Sequence, residues 1–242
     1  MKRVCLIVFL VVVSVLGVAL ASCSGEQEPG EITLTPPWEV GEKGVYEVKR
    51  GDEILATWEM RVESDEAGMA LVSEMRGEGF CEAARVKVDP VTLFPEAMSF
   101  SQETEASEAR YTVTFTSDEA IISVEPRKGH PDVPAVRVAI PEGPHYENET
   151  LLMVMRAMPL EVGFTATVQD VVTRAAKVAP VEINVVREEP VQTVLGEKDS
   201  FVVELVGFEQ YLWVAKDGPR QILRFENKAA GTVSELTEYT AK

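Results

Sequence analysis

Along most of this chain apolar and polar side chains take turns, and a period of two admits one kind of secondary structure. Successive side chains of a β-strand point to opposite faces, so the alternation builds a sheet with one apolar and one polar side. Ile54, Ala56, Trp58, Met60 and Val62 share one face, while Thr57, Glu59, Arg61 and Glu63 take the other. The rhythm returns at Ala84-Val86-Val88, Tyr111-Val113-Phe115, Val136-Val138-Ile140 and Phe164-Ala166-Val168. Further copies are Val181-Ile183-Val185, Phe201-Val203-Leu205 and Leu223-Phe225. Gly51-Asp52 supplies a hairpin turn, and Asp89-Pro90, Glu142-Gly143-Pro144 and Asp217-Gly218-Pro219 punctuate the rest. About a dozen strands with one apolar face each must curl into a barrel or half-barrel, or fold into a sandwich. Short links make the pairing antiparallel. The expected fold is mainly β, an antiparallel open barrel or half-barrel of about a dozen strands.

One segment breaks the rhythm. Asn148 suits an N-cap, Glu149 suits a first turn, and an apolar run from Leu151 to Met158 ends at Pro159. The spacing predicts a helix of roughly 10 residues, apolar nearly all round except at Arg156. Such a helix has to be covered on most sides, so it is expected to cap or plug the mouth of the curved sheet. Met153, Met155 and Met158 add flexible thioethers that repack around varied shapes. Leu151, Leu152, Met155 and Met158 are the candidate ligand lid, over a candidate cavity lined by Trp58, Met60 and Phe115. The competing reading is a helix that simply completes the core.

The N-terminus sets an address. Lys2-Arg3 precede an uncharged run from Val4 to Leu20, the layout of an export signal. The run could nearly span a bilayer, which makes an uncleaved anchor the competing reading. Leu20-Ala21-Ser22-Cys23 resembles the lipobox of bacterial lipoproteins. That resemblance implies removal of residues 1–22 and lipidation of Cys23, with two or more acyl chains anchoring stably where one would not. Residues 23–37, rich in Gly, Glu and Pro, then form a tether, and 38–242 form a single all-β domain. The expected location is extracytoplasmic, held to a bacterial membrane, either the outer leaflet of the plasma membrane or the outer membrane.

Charge narrows the partners. The chain carries 23 Lys and Arg against 40 Asp and Glu, a formal −17. Cleavage after Ser22 would remove two cations and no carboxylate. A surface this acidic repels nucleic acid and anionic headgroups, so no nucleic-acid partner is expected and the lipid alone should meet the membrane. Of three cysteines, Cys5 leaves with the signal and Cys23 takes the lipid. Cys81 is left alone, most simply as a small buried residue.

Catalytic constellations are missing from the sequence. His130 and His145 both sit in Pro/Gly-rich stretches without a third ligand at metal spacing, and read as solvated loop residues. There is no Gly-x-Ser-x-Gly elbow, no phosphate-cradling glycine loop and no Cys-x-x-Cys. The carboxylates fall mostly on the polar alternation, as a solvated sheet face would place them. Asn148-Glu149-Thr150 fits a sequon, though a helix cap reads better behind a lipobox. No catalytic residue, no metal and no cofactor is expected.

Three stretches carry a family resemblance. Val88-Asp89-Pro90-Val91-Thr92-Leu93-Phe94-Pro95 resembles a turn-and-strand signature of an uncharacterised family of exported bacterial proteins, a domain of unknown function. So does Leu212-Trp213-Val214-Ala215-Lys216-Asp217-Gly218-Pro219-Arg220, followed by Leu223, Gly231 and Leu236. Met155-Arg156-Ala157-Met158-Pro159-Leu160-Glu161-Val162-Gly163 is similar to that family's link from helix to next strand. The resemblance runs over roughly residues 40–240 and implies an open β-barrel similar in shape to the lipoprotein-sorting chaperones of the bacterial envelope. It implies no catalytic residues. The expected function is therefore non-enzymatic: binding a lipid-like or hydrophobic small molecule, or an acylated partner, inside the barrel. The alternative is a structural or interaction lipoprotein that binds other envelope proteins by its surface, involving Tyr211 and Trp213 if they face outward.

Overall fold

The computed structural model describes residues 32–65, 68–125 and 133–241. Among the described residues fifteen strands make one sheet. They are β1 (Lys43–Arg50), β2 (Glu53–Asp65), β3 (Gly68–Gly77), β4 (Phe80–Val88), β5 (Pro95–Thr104), β6 (Glu108–Phe115), β7 (Glu119–Val124) and β8 (Val136–Ala139). After a crossing segment come β9 (His145–Glu147), β10 (Thr165–Val172), β11 (Lys177–Thr193), β12 (Gly196–Leu205), β13 (Gln210–Ala215), β14 (Ile222–Asn227) and β15 (Thr232–Thr240). The spatial order is β8-β7-β6-β5-β4-β3-β2-β1-β15-β14-β13-β12-β11-β10-β9. Two meanders thus meet at the β1–β15 pair, and every pair is antiparallel except β9 with β10. The β9 wall returns against β5, and β8 approaches β11, without ladders between them. The sheet is rolled but not closed.

Register fixes what lies inside. Val62, Leu71, Val86, Met98, Val113 and Ile122 are direct cross-strand partners, so they share one face, and all are buried. One position along, Arg61, Val72, Arg85, Ser99 and Thr112 share the outer face. Arg61 there lies within 2.7 Å of Glu63 and 2.8 Å of Glu59. A one-residue slip would exchange the two sets, so the apolar pattern specifies the register. The Gly51-Asp52 turn forms as expected, with Arg50 opposite Glu53 and Gly51 at φ 58°.

The sheet has more strands than the alternation counts, because several are covered on both sides. In β3, Ala70, Leu71, Val72 and Ser73 are all buried, and in β13 so are Leu212, Trp213, Val214 and Ala215. Strands buried on both faces lose their period-two signature.

The segment between β9 and β10 carries the one α-helix among the described residues, α1 (Leu151–Met155), shorter than expected and extended by turns to Met158. Its N-cap is Thr150, not Asn148, and no side chain caps it. Asn148 instead donates from Nδ2 to Asp170 Oδ2 at 2.8 Å.

The tether also ends sooner than expected. Ile32 and Leu34 pack against the core, and the Thr35 N–H donates to the Ala157 carbonyl at 2.8 Å, so residues 32–37 belong to the folded part. The expected export signal, Cys23 and His130 lie outside the described residues.

Candidate functional site: a filled interior, two polar anchors and an outer cleft

The predicted lid is a plug. Leu151, Met153, Val154, Met155 and Met158 are buried within the core, and Leu152 packs half-buried at its edge. Trp58 and Met60 stand on the inner wall of β2, and Phe115 closes the inner row at the end of β6. Trp58 is engaged on several sides. Its Nε1 donates to Ser73 Oγ at 2.9 Å, and its ring meets Tyr46 at 5.7 Å and Phe225 at 6.1 Å. Met155, Met158, Leu212 and Ile183 each have 0% of their surface within reach of water. A wall with no room for a water molecule has none for an acyl chain. In this state the predicted cavity residues line a core packed by the protein's own side chains.

One end of the plug is pinned by Arg156. Its Nη2 lies 2.5 Å from Glu42 Oε1, and both side chains are only 5% exposed. Nε donates to the Arg220 carbonyl at 2.7 Å and Nη2 to the Pro219 carbonyl at 2.6 Å. Arg220, at φ 49°, returns a bond from Nη1 to the Met158 carbonyl at 2.7 Å. The guanidinium also stacks over Trp38, 5.1 Å from the ring centroid. One arginine therefore ties the segment before β1, the plug and the β13–β14 turn. The buried charge is tolerable because a carboxylate and two carbonyls accept from it.

The other end is acidic. Glu147, on β9, is buried, and its Oε1 accepts from Thr173 Oγ1 at 2.9 Å. Its Oε2 accepts from the Glu149 N–H at 2.7 Å. Thr173, in a 3-10 turn (Thr173–Ala175), faces Tyr111 of β6, with 3.4 Å between hydroxyls. Asp170 of β10 is 5% exposed, and its Oδ1 has no partner. Burial raises the Asp170 carboxyl to about 7 and lifts Glu147 and Glu149 above the usual range, with mutual repulsion adding to Glu147. Arg174 opposes this, 3.0 Å from Glu82 and 3.7 Å from Glu149. His145, expected in a solvated loop, is buried on β9 and stacked on Phe94 at 4.6 Å, and its burial lowers its basicity. Cys81, expected to be buried, is half-buried on β4.

Outside the barrel lies a cleft of about 490 Å³. Here β11 runs far beyond the wall, and its end, Glu189 to Thr193, stands over β13, β14, β15 and β1. Trp213 pairs with Arg224, which pairs with Glu235, which pairs with Glu47, so all four share the outer face. Trp213 is nevertheless buried. Its Nε1 donates to Glu189 Oε1 at 2.5 Å, and Arg224 stacks 5.0 Å above its ring. Pro190, Val191, Val194 and Leu223 give the cleft apolar walls. Tyr211 is outward too, half-buried, with its hydroxyl donating to Glu204 at 3.1 Å. A shallower hollow of about 260 Å³ lies over Ala83, Ser99 and Ser101, beside Arg61, Arg85 and Arg110.

A family model described as a protein of unknown function (DUF3108) matches residues 39–233. The chain belongs to that family. The matched DUF3108 span contains Glu42, the whole plug, the acidic end and most of the cleft. No curated protein matches the chain. Among solved structures, a β-barrel-like protein of a second domain of unknown function (DUF1849), from Brucella abortus, is similar at 9% identity and a TM-score of 0.49. It covers 87% of this chain and 99% of its own. A protein described as exported, with a YmcC-like fold, from Bacteroides fragilis covers 86% and 99% at 11% identity and a TM-score of 0.27. No helix among the described residues is long and apolar enough to cross a membrane, which says nothing of strands.

The buried carboxylates went unread in the sequence, where acidic residues were assigned to the solvated face. Asp170 had a signal: it continues the inward frame Ala166-Val168 by two residues. Glu147 and Glu149 had none, since β9 and its exit follow no period.

Proposed function

We propose that this DUF3108 protein is a lipid-anchored, extracytoplasmic, non-enzymatic binding protein that recognises another envelope protein through the cleft under the β11 arm. The observation that carries this reading is the contrast between a filled interior and an outward Trp213 set in a roomy cleft. The cleft joins apolar walls to a rim of Glu47, Glu189 and Glu235, while its Lys49 is held by Glu47 at 3.0 Å and Glu235 at 3.3 Å. That chemistry suits an extended segment bearing apolar and basic side chains, and the chain's net negative charge favours the same partner.

The test is site-specific photocrosslinking in native membranes. A probe at Gln192, in the cleft, should capture one reproducible protein, and Val194→Arg should abolish the capture. A probe at Glu96 on β5 should not capture it. Equal capture from both positions, or none from Gln192, overturns the reading.

A second reading stays alive because Met153, Met155 and Met158 are adaptable side chains seated against an apolar wall. Displacing the plug would free space for an acyl chain. Native mass spectrometry of a Cys23→Ser protein from its own cells decides this: stoichiometric lipid adducts support it, and a consistently bare mass counts against it.

A further inference from the structure

The two ends of the plug are built on opposite principles. At the Arg156 end each buried charge meets an opposite charge or a carbonyl. At the β9 end, carboxyl groups outnumber their cations. Asp170 faces Asn148 and Glu149 from the plug side and Lys177 from β11. Glu147 faces Glu149 and Asp170, with the neutral Thr173 and Tyr111 behind it on the 3-10 turn and β6. Glu149 faces Glu82 of β4 and Arg174. That arginine is shared with Glu82, which also accepts from Gln102 of β5 at 2.6 Å. Asp170 Oδ1 is enclosed and unpartnered, a place where an ionised carboxylate has nothing to solvate it.

Little backbone bonding holds this end. β9 is a three-residue strand paired on one side only, in parallel with Gln169, Asp170 and Val171. The helix that follows is five residues long, too short to be stable alone. Such an edge is where local opening is cheapest.

We propose that His145–Thr150 is a proton-controlled clasp: with protons on Glu147 and Asp170 it stays seated between β10 and the β5–β6 wall, and loss of those protons unseats it while the Arg156 end stays pinned. Unseating parts Phe94 from His145 and Thr173 from Glu147, which opens the barrel along that wall and uncovers the acidic end to solvent. Ionisation is the trigger because two carboxylates and Glu149 would then share one arginine and one lysine in a dry site.

Hydrogen exchange of the whole mature protein, read by peptide and corrected for the intrinsic pH dependence, tests this. Between pH 5 and pH 8, protection of peptides covering 145–150 should fall at least tenfold, while β2, β3 and peptides covering 156–160 keep theirs. Asp170→Asn should hold the 145–150 peptides protected at pH 8, and Glu147→Gln is the second variant should the first fold poorly. Unchanged protection in the wild type, a loss spread evenly over the domain, or an equal loss in whichever variant folds overturns the proposal.

Discussion

Replacing Arg156 tests whether the plug is held by its polar anchor or by grease alone. Arg156→Met keeps much of the side-chain volume but removes the charge, the partner of Glu42 and the donors to two carbonyls. It also removes the stacking on Trp38. Breaking a buried pair from one side costs about 3–5 kcal/mol, because the surviving charge is stranded. Each carbonyl left without a donor adds about 1 kcal/mol. Some of this returns where water reaches the turn, so the expected loss is about 4 kcal/mol. Glu42→Gln alone should cost about 1–3 kcal/mol, since an amide oxygen still accepts from the guanidinium. The double variant should cost less than the two singles together by at least about 1 kcal/mol, the signature of directly coupled groups. Urea unfolding followed by far-UV circular dichroism supplies the three values. A loss below about 1 kcal/mol or additive single effects would refute the anchor and leave hydrophobic packing as the sole clamp.

Stability should fall as pH rises from 4 to 8. Asp170 sits at about 7 in the fold against an ordinary 3.8, so in that window the folded chain holds a proton the unfolded chain has released. The gap corresponds to about 4 kcal/mol once both forms are ionised, and Asp170→Asn should flatten the slope in urea titrations by about that much. Radiolabelled palmitate should mark the wild-type protein and not Cys23→Ser, and labelling of both would refute the anchor read from the lipobox resemblance.

The legible part of this structure was whatever had one wet face. β2, β4 and β6 announce themselves because Glu59, Arg61, Arg85 and Thr112 are outside while Trp58, Met60, Val86 and Val113 are inside. β3 and β13 do not, because arginine stems cover Val72 from outside and the β11 arm covers Trp213. The arm itself was unreadable for a related reason. Glu188, Glu189 and Pro190 look like the end of a strand, yet the β11–β12 ladder runs on to Thr193 opposite Gly196, clear of the barrel wall. Tyr211 and Trp213 were flagged only on the condition of facing outward; the register meets it, but the sequence could not reveal that a neighbouring segment would bury the tryptophan. Cys23 stands apart, because its reading rests on four residues of resemblance and on no packing at all.

The two plug ends explain each other. The plug links the edge strand β9 to its neighbour β10 and joins no ladder of its own, so side chains must hold it. Arg156 achieves this at any ordinary pH, since a guanidinium stays charged. Carboxyl groups placed at the other end achieve it only while protonated, which costs stability at neutral pH and returns nothing to packing. An apolar residue at Asp170 would leave the Asn148 amide, which donates to its Oδ2 at 2.8 Å, without that acceptor. A buried acid whose second oxygen is idle belongs to a position that acts through its proton.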